Sequence, residues 1–166
     1  MSGQSSIVNL MLGREVKMCE TAIAKDSEIL TASAVGSCVV ITLYHPGCKI
    51  GAMAHVMLPK RGSLVVGRKS SNELRDTKYV DVAIDEILRK METQGAKAGD
   101  LEAKIAGGAN MFPGCGSDIG RDNVLSAKEK LSKEGVKVVG ESVGGSIGRS
   151  VEFSVASGIV TVKIKF

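Results

Sequence analysis

Residues 36–59 read GSCVVITLYHPGCKIGAMAHVMLP, two apolar runs joined by His45-Pro46-Gly47-Cys48. The first run, CVVITLY (38–44), has the β-branched, apolar character of a buried strand. Pro and Gly mark the turn, and KIGAMAHVML (49–58) returns until Pro59 stops it. Setting Tyr44 opposite Lys49 across the turn defines a register, because side chains alternate faces along a strand. Leu43 is then expected to face Ile50, Ile41 to face Ala52 and Val39 to face Ala54, an apolar face that belongs in the core. The opposite face pairs Thr42 with Gly51, Val40 with Met53 and Cys38 with His55.

Directly opposed residues bring their Cβ atoms to about 4.5–5.5 Å, close enough for a thiol and an imidazole to meet. The thiolate is the reactive form of cysteine, and histidine either holds it as an ion pair or takes its proton. The same imidazole suits protonation of a departing amine. A Gly36-Ser37 bend before Cys38 lets backbone approach a substrate and aims N–H groups at a developing oxyanion. Singly, a cysteine opening an apolar strand and a histidine inside one are ordinary core residues. Their cross-strand match makes Cys38 and His55 the candidate catalytic residues.

Outward from the hairpin, the pattern predicts strands over 14–24 and 27–34 before it. After it come a basic, Gly/Ser-containing loop over 60–77 and a helix over 78–94. Val80, Ala83, Ile84, Ile87, Leu88 and Met91 share one face of that helix, and Gly95 lies just past its end. LEAKIAGGANMF (101–112) reads as a buried strand entering a glycine turn, 119–134 as a second helix, and 136–143 as another strand. A last hairpin turns at Ser157-Gly158. The expectation is one α/β (α+β) domain over 1–166, its sheets largely antiparallel, with 1–13 a flexible lead-in.

The 166 residues are 43% hydrophobic, enough for a real core. No apolar run approaches a membrane span and no secretory signal is legible at the N-terminus, so a cytoplasmic protein without membrane insertion is expected. Net charge is +4, with three Phe, two Tyr and no Trp. That leaves no stacking platforms for single-stranded nucleic acid, and no nucleic-acid partner is expected. Cysteines at 19, 38, 48 and 115 lack zinc spacing and are expected as thiols. AGGAN (106–110) and GGSIG (144–148) lack the P-loop ending and the dinucleotide spacing, so they read as tight turns. Arg121 and Arg149, each after a glycine, are expected in structural salt bridges, with the substrate side or a partner surface as the alternative.

The 36–59 stretch, together with KYVDVAIDEIL (78–88), LEAKIAGGANMF (101–112), IGRDN (119–123) and GGSIGRSVEF (144–153), resembles the CheD family of chemoreceptor glutamine deamidases. The resemblance runs in family order from about residue 14 onward. It implies a layered, β-sandwich-like core with two main helices packed outside, similar to glutamine-deamidating bacterial toxins. It implies conversion of glutamine to glutamate on chemoreceptor cytoplasmic helices in chemotaxis adaptation, with no cofactor, and for some members methyl-ester hydrolysis. Binding to the CheC phosphatase is implied as well, and a regulatory module that mainly docks on CheC or the receptor is the alternative. The family nucleophile falls on Cys38 and its histidine on His55. The family's orienting threonine falls on Ala32, leaving Thr31 or Ser33 as substitutes. The basic loop is the expected receptor contact.

Overall fold

A computed structural model describes residues 13–61 and 73–164. The strands are β1 (Arg14–Glu15), β2 (Thr21–Lys25), β3 (Ile29–Val35), β4 (Val39–His45), β5 (Ile50–Val56), β6 (Glu102–Gly107), β7 (Lys137–Val143), β8 (Arg149–Ser154) and β9 (Ile159–Ile164). The helices are α1 (Val80–Thr93) and α2 (Ile119–Lys133). β1-β3-β8-β9 form one sheet and β2-β5-β4-β6-β7 the other. The β1–β3 and β6–β7 pairs are parallel and the remaining pairs antiparallel.

Three layers follow from where the apolar side chains go. Val39, Ile41 and Leu43 of β4, with Ala52 and Ala54 of β5, pack under Val80, Ala83, Ile84, Ile87 and Met91 of α1 and Leu131 of α2. Val40 and Met53 point the other way, onto Leu30, Val151 and Phe153 of the second sheet. The five-stranded sheet is therefore covered on both faces, which is why β4 and β5 read as continuous apolar runs. Truncating Ile87 to alanine under this sheet is expected to cost about 2–5 kcal/mol.

α1 ends as its sequence dictates: Gly95 takes φ +86° and its N–H returns to the Glu92 carbonyl, 2.9 Å away. α2 starts on Asp118, whose carboxylate accepts the Arg121 N–H at 3.0 Å. The predicted 14–24 strand is two short strands, because Cys19 takes a left-handed turn at φ +69°. In the predicted 60–77 loop, residues 62–72, including Arg68 and Lys69, lie outside the described residues, as do 1–12. The loop's later part, Glu73–Lys78, is a short 3-10 helix. At its start, Lys60 pairs with Glu129 at 3.1 Å and Arg61 with Asp76 at 3.0 Å. Among the described residues no helix is long and apolar enough to cross a membrane.

Candidate active site

The hairpin closes one step later than its turn sequence predicts. His45 faces Ile50, Tyr44 faces Gly51 and Val39 faces Val56, so Val40 and not Cys38 stands opposite His55. The turn occupies residues 46–49, with Lys49 at φ +49° and the His45 imidazole Nδ1 accepting the Cys48 N–H at 3.1 Å. The register moves by two residues, and a shift of two keeps every side chain on its face. Cys38 and Val40 both lie in the core between the two sheets, as does Met53, two residues before His55 on β5. Cys38 and His55 are thus diagonal neighbours on one face, a relation that spans about 7–8 Å.

His55 is 3% exposed. Its Nδ1 lies 3.1 Å from the Val16 carbonyl oxygen. A carbonyl only accepts, so Nδ1 carries the proton and Nε2 keeps its lone pair. Nε2 is buried and has no hydrogen-bond partner among the described residues. Burial pushes His55 below its usual 6.5, against the Val16 carbonyl and the charges of Glu15 and Glu20. Burial pushes the Cys38 thiol above its usual 9.0, with the Cys19 thiol adding to the rise and Cys38's own backbone N–H opposing it. Both shifts favour the uncharged forms, a thiol at Cys38 and an imidazole at His55.

The bend that carries Cys38 is held by three consecutive carbonyls. Gly36 accepts from the Ala109 N–H at 2.9 Å, Ser37 from the Asn123 amide at 3.0 Å and Cys38 from the Gly108 N–H at 2.8 Å. Gly107 permits this approach: it takes φ +108°, and a Cβ there would collide with the Cys38 carbonyl oxygen and the Val35 side chain. Arg149, 6% exposed, braces the same turn. Its guanidinium donates to the carbonyls of Gly107 at 2.6 Å, Ser142 at 3.0 Å and Gly144 at 2.5 Å. The expected salt bridge is corrected here: Arg149 meets carbonyl dipoles because the glycine turns bring backbone, not carboxylate, to it.

Neither substitute for the orienting hydroxyl faces the pair. Thr31 stands opposite Glu152 and lines the outer sheet face with Ser150, Thr161 and Lys163. Ser33 also lines that face, and its hydroxyl donates to Glu15 at 2.9 Å. A bulge between Ala32 and Val35, with Ala34 at φ +54°, adds a residue to β3 but leaves Thr31 outward and Ala32 in the core with Cys38. Asn123, Arg149 and the Val16 carbonyl hold the site, and sequence reasoning assigned none of them that role. One signal existed: Asn123 falls on the buried stripe of α2 with Gly120, Val124, Ala127 and Leu131.

Beside the bend lies a cleft of about 230 Å³, lined by Ser37, Asn110, Met111, Phe112, Cys115 and Ile119 among others. Met111 and Phe112 expose 41% and 75% of their surface, an apolar rim to this cleft, and Cys38, the residue after Ser37, is 8% exposed. A larger cleft of about 590 Å³, on the β2–α1 side, is lined by Glu20, Thr21, Asp76, Asp85, Glu86 and Arg89, with no cysteine or histidine among its lining residues. The cysteines form no disulfide. Among the described residues no group of three His, Cys, Asp or Glu side chains is placed to hold a metal ion.

Known proteins share this chain's sequence over most of its length. The family model for CheD chemotactic sensory transduction matches residues 57–164. A probable chemoreceptor glutamine deamidase CheD of Methanococcus maripaludis is 40% identical over 152 residues, covering 90% of this chain and 93% of its own. The chemoreceptor glutamine deamidase CheD of Thermotoga maritima is 39% identical over 144 residues, 87% of each chain. That of Halalkalibacterium halodurans is 38% identical, covering 84% of this chain and 86% of its own. Identity at this level, across both sheets and both helices, makes the chain a member of the CheD family.

Proposed function

We propose that this chain is a chemoreceptor glutamine deamidase in which Cys38 is the nucleophile and His55 the acid and base. The observation that carries the reading is that Cys38 lies in the core between the sheets with Val40, whose β5 partner is His55, and that the His55 Nε2 is buried and unpartnered among the described residues. His55 takes the thiol proton as Cys38 attacks the carboxamide carbon of a receptor glutamine. The C–S bond forms and the carbonyl electrons move to oxygen, beside the Cys38 backbone N–H. His55 returns the proton to nitrogen, the C–N bond breaks and ammonia leaves a thioester. Water, losing a proton to His55, then hydrolyses the thioester to glutamate and restores the thiol. The apolar rim of Met111 and Phe112 beside the Ser37 cleft suits a helical protein surface better than a small polar amide.

The sequence relatives support the substrate class, since they are named chemoreceptor glutamine deamidases. Methyl-ester hydrolysis would use the same steps with an alcohol as leaving group. The docking-module reading, with CheC or the receptor as partner, drew on the displaced threonine. The Val16 carbonyl on His55 supplies an orienting group without it. Incubation with a receptor cytoplasmic fragment, followed by peptide mass spectrometry, tests the reading. Amide-to-acid conversion by the native chain and its loss in Cys38→Ala are expected; conversion at the native rate by Cys38→Ala refutes the mechanism.

A further inference from the structure

We infer that Asn123 is a positioning residue for this chemistry: its side-chain amide holds the Cys38 bend and the end of the His55 strand at a fixed spacing. The inference rests on the Cys38–His55 reading and names what sets their geometry. The β4–β5 ladder ends at the Val39–Val56 pair, so no backbone ladder joins the chain at Cys38 to the chain at Met57. Asn123 stands where that ladder stops. One N–H of its amide donates to the Ser37 carbonyl at 3.0 Å and the other to the Met57 carbonyl at 3.1 Å. Ser37 precedes the nucleophile, and Met57 follows His55 by two residues. A single planar group on α2 thus ties the two strand ends that carry the pair.

Two further features favour positioning over packing. Asn123 is 0% exposed on the buried face of a helix, where an apolar side chain would pack without a desolvation cost. Its Oδ1 is buried with no hydrogen-bond partner among the described residues. The reverse orientation would set that oxygen against two carbonyl oxygens, so the donors' alignment on Ser37 and Met57 is what the site preserves. Ser37 also lines the neighbouring cleft, so the same amide holds the part of the cleft wall that precedes Cys38 in the chain.

The test compares the native chain with Asn123→Ala and Asn123→Ser, the serine keeping one hydroxyl donor. Alkylation of each cysteine by iodoacetamide is followed across pH by peptide mass spectrometry, with exposed Cys48 and Cys115 as internal controls. A misplacement of about 1 Å costs roughly 100-fold in such geometries, so Asn123→Ala should slow Cys38 alkylation at neutral pH by about 10- to 100-fold. Its pH midpoint should rise, the controls should stay unchanged, and kcat on receptor glutamine should fall with KM retained. Serine should recover part of the loss. A folded Asn123→Ala variant whose Cys38 profile overlays the native one overturns the inference. If the alanine variant does not fold, the serine variant is judged by the same profile. Native chain inactive on receptor glutamine, with Cys38 still slowed by Asn123→Ala, defeats the deamidase reading and leaves the positioning role standing.

Discussion

His55 donates its Nδ1 proton to the carbonyl oxygen of Val16, 3.1 Å away, and that bond turns Nε2 into the free face of the ring. In the proposed mechanism a backbone carbonyl takes the orienting role that a side-chain hydroxyl or carboxylate has in cysteine–histidine enzymes. It cannot be removed by substituting a side chain, so His55 itself must be changed to test it. His55→Asn keeps an amide N–H at the position of Nδ1 for Val16 and has no titratable nitrogen. The expected result is a folded protein whose kcat is lower by roughly 100- to 10,000-fold. Deamidation kinetics with thermal melting as the fold control measure it.

Thr31 and Ser33 lie on the outer sheet face, away from the pair. Thr31→Val and Ser33→Ala should therefore leave kcat and KM near native values and change stability by no more than about 0.5 kcal/mol. A large drop in kcat for Thr31→Val, with the fold intact, would return the threonine to the site.

Arg149 satisfies three carbonyls around the Gly107 and Gly144 turns. Arg149→Ala removes a shared donor from these carbonyls, of which Gly107 keeps the Gly144 N–H at 3.0 Å, and should cost about 1–3 kcal/mol in chemical denaturation. Arg149→Lys keeps the charge but offers a point donor in place of a planar fork, and should recover only part of the loss. Because Gly107 packs on the Cys38 carbonyl, activity should fall in the lysine variant even where the fold persists.

The buried pair also sets a pH window for stability. His55 is held below its usual 6.5, so an unfolded chain binds a proton that the native chain refuses. Its contribution is full above pH 6.5 and is lost as pH falls from there through the native value. Cys38 is held above its usual 9.0, so its contribution is full below that pH and is lost as pH rises through the native value. Stability should therefore be greatest between the two. Denaturation midpoints across pH should show a shallower acid limb in His55→Asn and a shallower alkaline limb in Cys38→Ala. Limbs unchanged in both variants would show that other groups set the window.

Local chemistry made most of the fold legible. The apolar stripe from Val80 to Met91 announced α1, Gly95 its end, and Ser157-Gly158 the final hairpin. The two-residue period placed Cys38 and His55 on one face of their hairpin, and that survived a register error because the error was an even number of residues. The exact opposition did not survive, since His45 joins the strand and its ring closes the turn on Cys48, a turn geometry that Pro46-Gly47 leaves open. The groups that orient the pair were beyond sequence reasoning as well. Nothing local says that Val16 would reach His55, 39 residues on, or that Asn123 would bridge Ser37 and Met57, 86 and 66 residues away. By itself the sequence determined which side chains are the candidates for the chemistry and which face they share, because both are set by residue type and strand period. Only the tertiary structure decided what orients them, because hydrogen bonds between distant segments depend on how the layers stack.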